Sequence, residues 1–324
     1  MKFLVTGGAG FIGSHLSEEL LNFGHHVLVL DDLSTGRYEN IAHIDDGVRL
    51  QLIVDSVNEP GIVSECVKQV DAVFHLASAV GVRLIIEQPV KTIESIVGGT
   101  DVVLKQCARY RKPVMITSTS EVYGRGSKTP FSEDDDCVMG PTTKRRWSYA
   151  CAKTLDEFLA LAHWYESRLP VIIIRMFNTV GPRQTGQYGM VVPTFVRQGL
   201  LGEPITVYGD GSQSRCFCHV KDVVGCMISL MKCPQARGQV INVGNSEEVT
   251  ILALAERIRE MTGFRSEIAI IPYDKAYGEG FDDMQRRVPD LTRVKRLINY
   301  EPKYNLKEIL KDIMNFETSR AIIK

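Results

Sequence analysis

Long hydrophobic runs are missing from this sequence: stretches such as "VIIIRMF", Val171 to Phe177, fall far short of the ~20 residues a bilayer-crossing helix needs. The N-terminal "MKFLVTGGAG" passes straight from a strand-like run into glycines, without the longer apolar segment and small-residue cleavage site of a secretory signal. The cytoplasm is therefore the expected compartment. An excess of charge of either sign is missing too. The 38 basic and 39 acidic side chains nearly cancel, which removes the broad positive field that non-specific nucleic-acid binding requires. The eight cysteines include no Cys-x-x-Cys pair, and the closest two, Cys216 and Cys218, lack a nearby His/Cys partner set. They read as reduced thiols with neither a metal nor a disulfide role. No internal repeat and no low-complexity tract is visible.

What is present is a chain of 324 residues, 44% hydrophobic and 24% charged, enough for two packed modules or one large α/β body. Its first half alternates short β-branched runs with segments of helical periodicity, the pattern of a parallel sheet covered on both faces by crossover helices. Strands are expected at Lys2 to Thr6, His26 to Asp31, Val48 to Asp55, Ala72 to Ala77, Val114 to Ser120 and Val171 to Phe177. After Asn178 the rhythm breaks into the loop "NTVGPRQTGQYG", then "MVVPTFVRQGL" reads as a helix, and "GQVINVG" reads as a strand returning to the sheet. The expectation is a doubly wound Rossmann domain, residues 1–177 plus about 216–246, and a smaller discontinuous α/β domain, about 178–215 plus 247–324.

"TGGAGFIG" places Gly7, Gly10 and Gly13, with Phe11 and Ile12 between them, at the end of the first strand and the start of a helix. Glycine permits the tight turn and close backbone approach, and the helix start offers N–H groups and a positive dipole end to a pyrophosphate. The next strand ends in "VLVLDD", with Asp31 at the spacing of the dinucleotide fingerprint. A carboxylate there accepts hydrogen bonds from an unmodified ribose and repels a 2′-phosphate, so Asp31 and Asp32 favour NAD over NADP, with nearby Arg37 weighing slightly against this. Asp55 is a candidate for the adenine edge, or simply a strand-end acid.

Tyr149 and Lys153 stand four apart in "WSYACAKTLDEFLALAHWYE", a helical stretch, so both project from one face. An ammonium near a phenol, aided by an oxidised nicotinamide, draws the tyrosine pKa down and prepares it as a general base. "TSTSEVYG" follows the strand expected to end beside the nicotinamide. There Thr119 is a candidate to hydrogen-bond the reacting hydroxyl, with Ser120 and Glu121 serving a neighbouring carbon.

These residues resemble the extended short-chain dehydrogenase/reductase enzymes that act on nucleotide sugars. The resemblance spans essentially the whole chain through "TGGAGFIG", "FHLASAV", "TSTSEVYG", "YACAK", "RMFNTVGPRQ", "VYGDGSQSRCFCHVKDVV" and "RRVPD", in order. It implies tightly bound NAD, a C-terminal domain for the nucleotide diphosphate, a 4-keto sugar intermediate and a homodimer. By the same resemblance Asn178 touches the sugar diphosphate, Val192 and Tyr208 enclose the base, and Arg215 and Arg287 bind pyrophosphate or ribose. Directed guanidinium donors suit phosphate oxygens. Ile96 departs from the asparagine that many relatives carry, which leaves a hydrogen bond near the cofactor in question.

Three outcomes follow from a 4-keto sugar. A 4-epimerase returns hydride to the other face. A decarboxylase releases the C6 carboxylate of a uronic acid, now β to the ketone. A 4,6-dehydratase expels the C6 hydroxyl. The triplet Thr119, Ser120, Glu121 resembles that of UDP-glucuronate decarboxylases; dTDP-glucose-type dehydratases usually have Asp where Ser120 stands, but GDP-mannose dehydratases can carry Thr-Ser-Glu, which keeps dehydration open as a lesser alternative. "GPTTKRRWSYACAK" resembles the decarboxylase of aminoarabinose synthesis, which makes Arg146 a candidate carboxylate ligand, against the alternative of an exposed helix-start arginine. UDP-glucuronate decarboxylation is the leading expectation, UDP-sugar 4-epimerisation the alternative. A non-catalytic NAD-binding sensor is disfavoured because Tyr149 and Lys153 are both present.

Overall fold

Seven segments rich in Val, Ile and Leu pair side by side in a single parallel sheet. They are β1 (Lys2–Thr6), β2 (His26–Asp31), β3 (Leu50–Val54), β4 (Ala72–His75), β5 (Val114–Thr119), β6 (Val171–Met176) and, later in the chain, Gln239–Val243. The last of these pairs with β6 along its whole length, as its sequence predicted. The computed structural model describes residues 1–78, 88–126, 128–186, 190–272 and 284–322. Ala79 and Val80 of "FHLASAV" and residues 187–189 of the glycine-glutamine loop lie outside the described residues. β3 begins two residues later than expected. The Asp46 carboxylate accepts the N–H groups of Val48, Arg49 and Leu50 and holds the first two in a turn.

Helices α1 (Phe11–Asn22), α2 (Pro60–Lys68), α3 (Pro89–Tyr110) and α4 (Trp147–Ser167) connect the strands, which are buried on both faces and therefore read as continuous apolar runs. One face of the sheet buries Leu16 and Leu20 of α1, and the other buries Val63 and Val67 of α2 with Val103 and Leu104 of α3. The order β3-β2-β1-β4-β5-β6, with Gln239–Val243 beyond β6, is that of a doubly wound Rossmann fold. The order reverses between β1 and β4. Their carboxyl ends flank a crevice, the usual ligand position in such sheets.

A separate apolar core joins α5 (Val191–Leu201), β8 (Ile205–Tyr208), α7 (Ile251–Met261) and α9 (Leu306–Ile322). Between β6 and β8 runs β7 (Thr179–Val180), and after β8 come β9 (Ser214–Cys216), β10 (Cys218–His219) and α6 (Val220–Met231), which packs against the sheet. Gln239–Val243 is β11, followed by β12 (Glu248–Thr250), β13 (Ile268–Ile271) and β14 (Arg286–Arg287). β9 pairs antiparallel with β12 and parallel with β14. Further on, Leu291, Val294 of α8 (Thr292–Ile298) and Tyr300 bury themselves in the core of the large sheet. The C-terminal stretch thus contributes to both cores. No helix among the described residues is long and apolar enough to cross a membrane.

Candidate active site

The turn after β1 is tight because glycine makes it so. Gly7 has φ +70°, and a Cβ there would lie 2.8 Å from Ala77 N; at Gly13 a Cβ would stand 2.1 Å from the Gly7 carbonyl oxygen. Strand, turn and helix therefore touch at backbone distance. At Gly10, in contrast, a Cβ would meet only Gly7 O, at 3.1 Å. α1 opens with no side-chain cap, so the first amides of the helix, around Phe11, Ile12 and Gly13, are not taken by a capping side chain. This cradle fits a pyrophosphate.

Asp31, 6% exposed at the end of β2, ties that turn together by accepting Ala9 N and Leu33 N, each at 2.9 Å. Burial pushes its carboxyl up, while those backbone donors draw it down. Asp32 is exposed and accepts both the amide and the hydroxyl of Ser34, and Arg37 is exposed as well. Asp55 follows β3 and accepts Ser56 N at 2.7 Å. The residues present fit an adenine dinucleotide with an unmodified ribose.

At the carboxyl end of β5 the backbone turns sharply. The Thr119 hydroxyl accepts Glu121 N at 3.2 Å, which caps a short 3₁₀ turn and aims Ser120 and Glu121 inward. Three guanidiniums converge there. Arg287 of β14 lies 2.6 Å from one Glu121 oxygen and donates to Ser120 Oγ at 3.4 Å; Arg146 lies 3.2 Å from the other Glu121 oxygen; Arg215 of β9 adds its charge from nearby. Burial raises the Glu121 carboxyl, but Arg287 and then Arg146 outweigh it and hold the pKa near about 2. Glu121 is accordingly ionised at neutral pH. Arg215 and Arg287 are both buried, at 7% and 6% exposure, so neither belongs to an ordinary surface ion pair. Arg287 Nε is buried with no hydrogen-bond partner among the described residues.

Arg146 occupies the N-cap of α4 without acting as a cap, and its guanidinium stacks 5.7 Å from the Trp147 ring. Trp147 is buried against Gly140, where an added Cβ would overlap the indole at 2.0 Å. Tyr149 shares a hydrogen bond with the Thr119 side chain. Its phenol is nonetheless pushed well above the usual tyrosine range, by burial and then by the Glu121 charge, with Asp156 adding to both. Lys153 Nζ donates to Asp156 Oδ2 at 2.9 Å, in a pair whose side chains are 3% and 0% exposed.

Of the remaining residues singled out in the sequence, Asn178 sits between β6 and β7 with a left-handed φ of 35° and donates to Cys216 O. Val192 is fully buried in the smaller core, and Tyr208 ends β8. These are set apart from the Tyr149–Glu121 cluster along the chain. Ile96 is buried on α3 and offers only hydrocarbon; one turn on, Thr100 supplies a hydroxyl. Sequence reasoning missed Asp156, Thr100 and His75. The signal was available for Asp156, an acid three residues after Lys153 on the inward face of a helix.

A family model described as GDP-mannose 4,6 dehydratase matches residues 4–313. The chain is 40% identical over 316 residues to the UDP-N-acetyl-alpha-D-glucosaminuronate decarboxylase of Bacillus cytotoxicus, covering 97% of each. It is 36% identical to UDP-glucuronic acid decarboxylase 1 of Danio rerio, over 97% of this chain and 72% of that one. The crystal structure of the UDP-glucuronic acid 4-epimerase of Bacillus cereus with UDP-glucuronic acid and NAD superimposes with a TM-score of 0.87 at 27% identity, over 99% of this chain and 100% of that one. With a family match across nearly its whole length and the same doubly wound sheet, the chain belongs to the GDP-mannose 4,6-dehydratase family of extended short-chain dehydrogenase/reductases.

Proposed function

We propose that this protein is an NAD-dependent decarboxylase of UDP-hexuronates, with UDP-glucuronate the first substrate to try and a 4-keto sugar as its intermediate. The observation that carries this reading is the surplus of positive charge at the reactive end: three guanidiniums, Arg146, Arg215 and Arg287, face one ionised carboxylate, Glu121. Arg215 and Arg287 serve the diphosphate that every UDP-sugar carries, which leaves Arg146 for the C6 carboxylate that a uronate alone brings. Relatives at 36–40% identity named as UDP-hexuronate decarboxylases support it.

Gly7, Gly10, Phe11, Ile12, Gly13, Asp31, Asp32 and Asp55 would hold NAD, with Lys153 at the nicotinamide end; when bound, the nicotinamide supplies the hydride acceptor for the sugar C4. Tyr149 takes the O4 proton as C4 becomes a ketone, and Thr119 hydrogen-bonds the same oxygen. Burial and the Glu121 charge raise the phenol, so the positive charge that an oxidised nicotinamide would bring to the site would favour Tyr149 as a base. The C5–C6 bond then breaks, carbon dioxide leaves, and the electron pair passes to C5 and the C4 oxygen, where Tyr149, Thr119 and the arginines steady the enolate. Ionised Glu121 accepts hydrogen bonds and fixes Arg146 and Arg287. Protonation at C5 completes the step. Asn178, Val192, Tyr208, Arg215 and Arg287 are assigned to the UDP portion, in a substrate module built from residues about 178–215 and 247–324.

A homodimer fits the surface. On α4, Cys151, Leu155, Phe158, Ala162 and Tyr165 form an exposed stripe at helical spacing, and Val90 and Ile93 of α3 are exposed as well. The test of function is to incubate the protein with NAD and, separately, UDP-glucuronate, UDP-N-acetylglucosaminuronate, UDP-glucose and UDP-N-acetylglucosamine, then identify products by NMR. UDP-xylose or its 4-keto precursor with released carbon dioxide is the expected result from UDP-glucuronate. UDP-galacturonate without carbon dioxide would overturn it in favour of 4-epimerisation.

A further inference from the structure

One turn beyond Lys153, the same helix carries a carboxylate that the proposed chemistry does not use. Asp156 is fully buried and receives a hydrogen bond from Lys153 Nζ at 2.9 Å. Removing both groups from water is costly, and Asp156 Oδ1 is buried without a hydrogen-bond partner among the described residues. Here the carboxylate lies beside the Thr100 hydroxyl of α3, and the Thr100 oxygen is 3.2 Å from His75 Nε2 at the end of β4. His75 Nδ1 is in turn 2.8 Å from Thr6 Oγ1 at the end of β1, and Thr6 Oγ1 accepts the N–H of Ala77. Thr6, His75, Thr100 and Asp156 are each at most 1% exposed.

Chemistry assigns every hydrogen along this line. An ionised carboxylate only accepts, so towards Asp156 the neighbouring Thr100 hydroxyl can only be the donor; the Thr100 oxygen then accepts from His75 Nε2–H. Burial, with help from the Lys153 charge, holds the His75 imidazole down to about 3, so the ring is neutral and Nδ1 is left as an acceptor for the Thr6 hydroxyl. The line therefore runs in one direction, from the turn under the cofactor cradle to the Asp156 carboxylate, into which the Lys153 ammonium donates from the other side. The other charged and titratable groups around the pair are Tyr149 and Glu157 on α4, the latter engaged by Arg175 of β6 at 2.7 Å, and Glu121 after β5.

We infer that Asp156 is the positioning residue for Lys153, holding its ammonium in place at the reactive end, and is itself oriented by Thr100, His75 and Thr6. The inference rests on the reading of Lys153 given under the proposed function. Two measurements test it. In ¹⁵N-histidine NMR of the unsubstituted protein, His75 is expected as the single Nε2–H tautomer, becoming a mixture in Asp156→Ala; an Nδ1–H tautomer, or no change on substitution, overturns the network. In the pH profile of kcat, Asp156→Asn is expected to move the alkaline limb at least one unit towards lower pH, with KM for the UDP-hexuronate within threefold and the limb restored in Asp156→Glu. A uniform loss of kcat at all pH values with an unmoved limb overturns the positioning role. If the folded, unsubstituted protein turns over no UDP-sugar, the functional reading falls alone, and the tautomer of His75 still decides the network.

Discussion

Around Gly7, Gly10 and Gly13 the crevice is bounded by backbone from one short run of chain, whereas around Glu121 it is bounded by charged side chains delivered from four separate segments. At the first place, specificity comes from the absence of side chains: Gly13 has no room for a methyl, and the opening of α1 carries no capping group. At the second, it comes from buried charges that only one another's company stabilises, Arg287 and Arg146 on Glu121 and Lys153 on Asp156. The difference teaches that the cofactor end should fail sterically when altered, and the reactive end electrostatically.

The sharpest way to separate the ends is Tyr149→Phe. It is expected to cut turnover on the order of 10³-fold, the range for losing a general base, while NAD binding measured by fluorescence titration stays intact. Glu121→Gln comes next. It leaves Arg146 and Arg287 without their shared counter-charge, and kcat should fall roughly 10²-fold with much less change in KM. Gly13→Ala tests the other end: the new Cβ would stand 2.1 Å from the Gly7 oxygen, so the urea midpoint should drop by the equivalent of about 2 kcal/mol and NAD affinity should fall with it.

The smallest effect concerns His75, which links the two ends. Its folded pKa lies near about 3 against an ordinary 6.5, so below pH 6.5 the unfolded chain gains a proton that the folded chain refuses. Stability contributed by the neutral ring is complete above pH 6.5 and declines as pH falls towards 3, by about 2 kcal/mol at pH 5 from this residue alone. Comparing urea midpoints at pH 7 and pH 5 should show that slope reduced in His75→Gln. An equal slope in both proteins would show that His75 exchanges protons freely in the fold.

The chain's own order of residues determined the alternation of strands and helices, the glycine turn opening α1, the acid ending β2, and the shared face of Tyr149 and Lys153. All of these depend on backbone preference and on periods of two or about four residues, which neighbours along the chain settle among themselves. Tertiary structure alone decided which charges meet. Ser120 and Arg287 are 167 residues apart in sequence yet share a hydrogen bond, and Arg146, expected by resemblance as a carboxylate ligand or by composition as an exposed helix-start residue, is turned inward onto Glu121. The same holds for Asp156 and His75, whose partners come from different strands and helices. The energy of a buried charge is set by whatever the fold places within a few ångströms of it, and no local pattern carries that information.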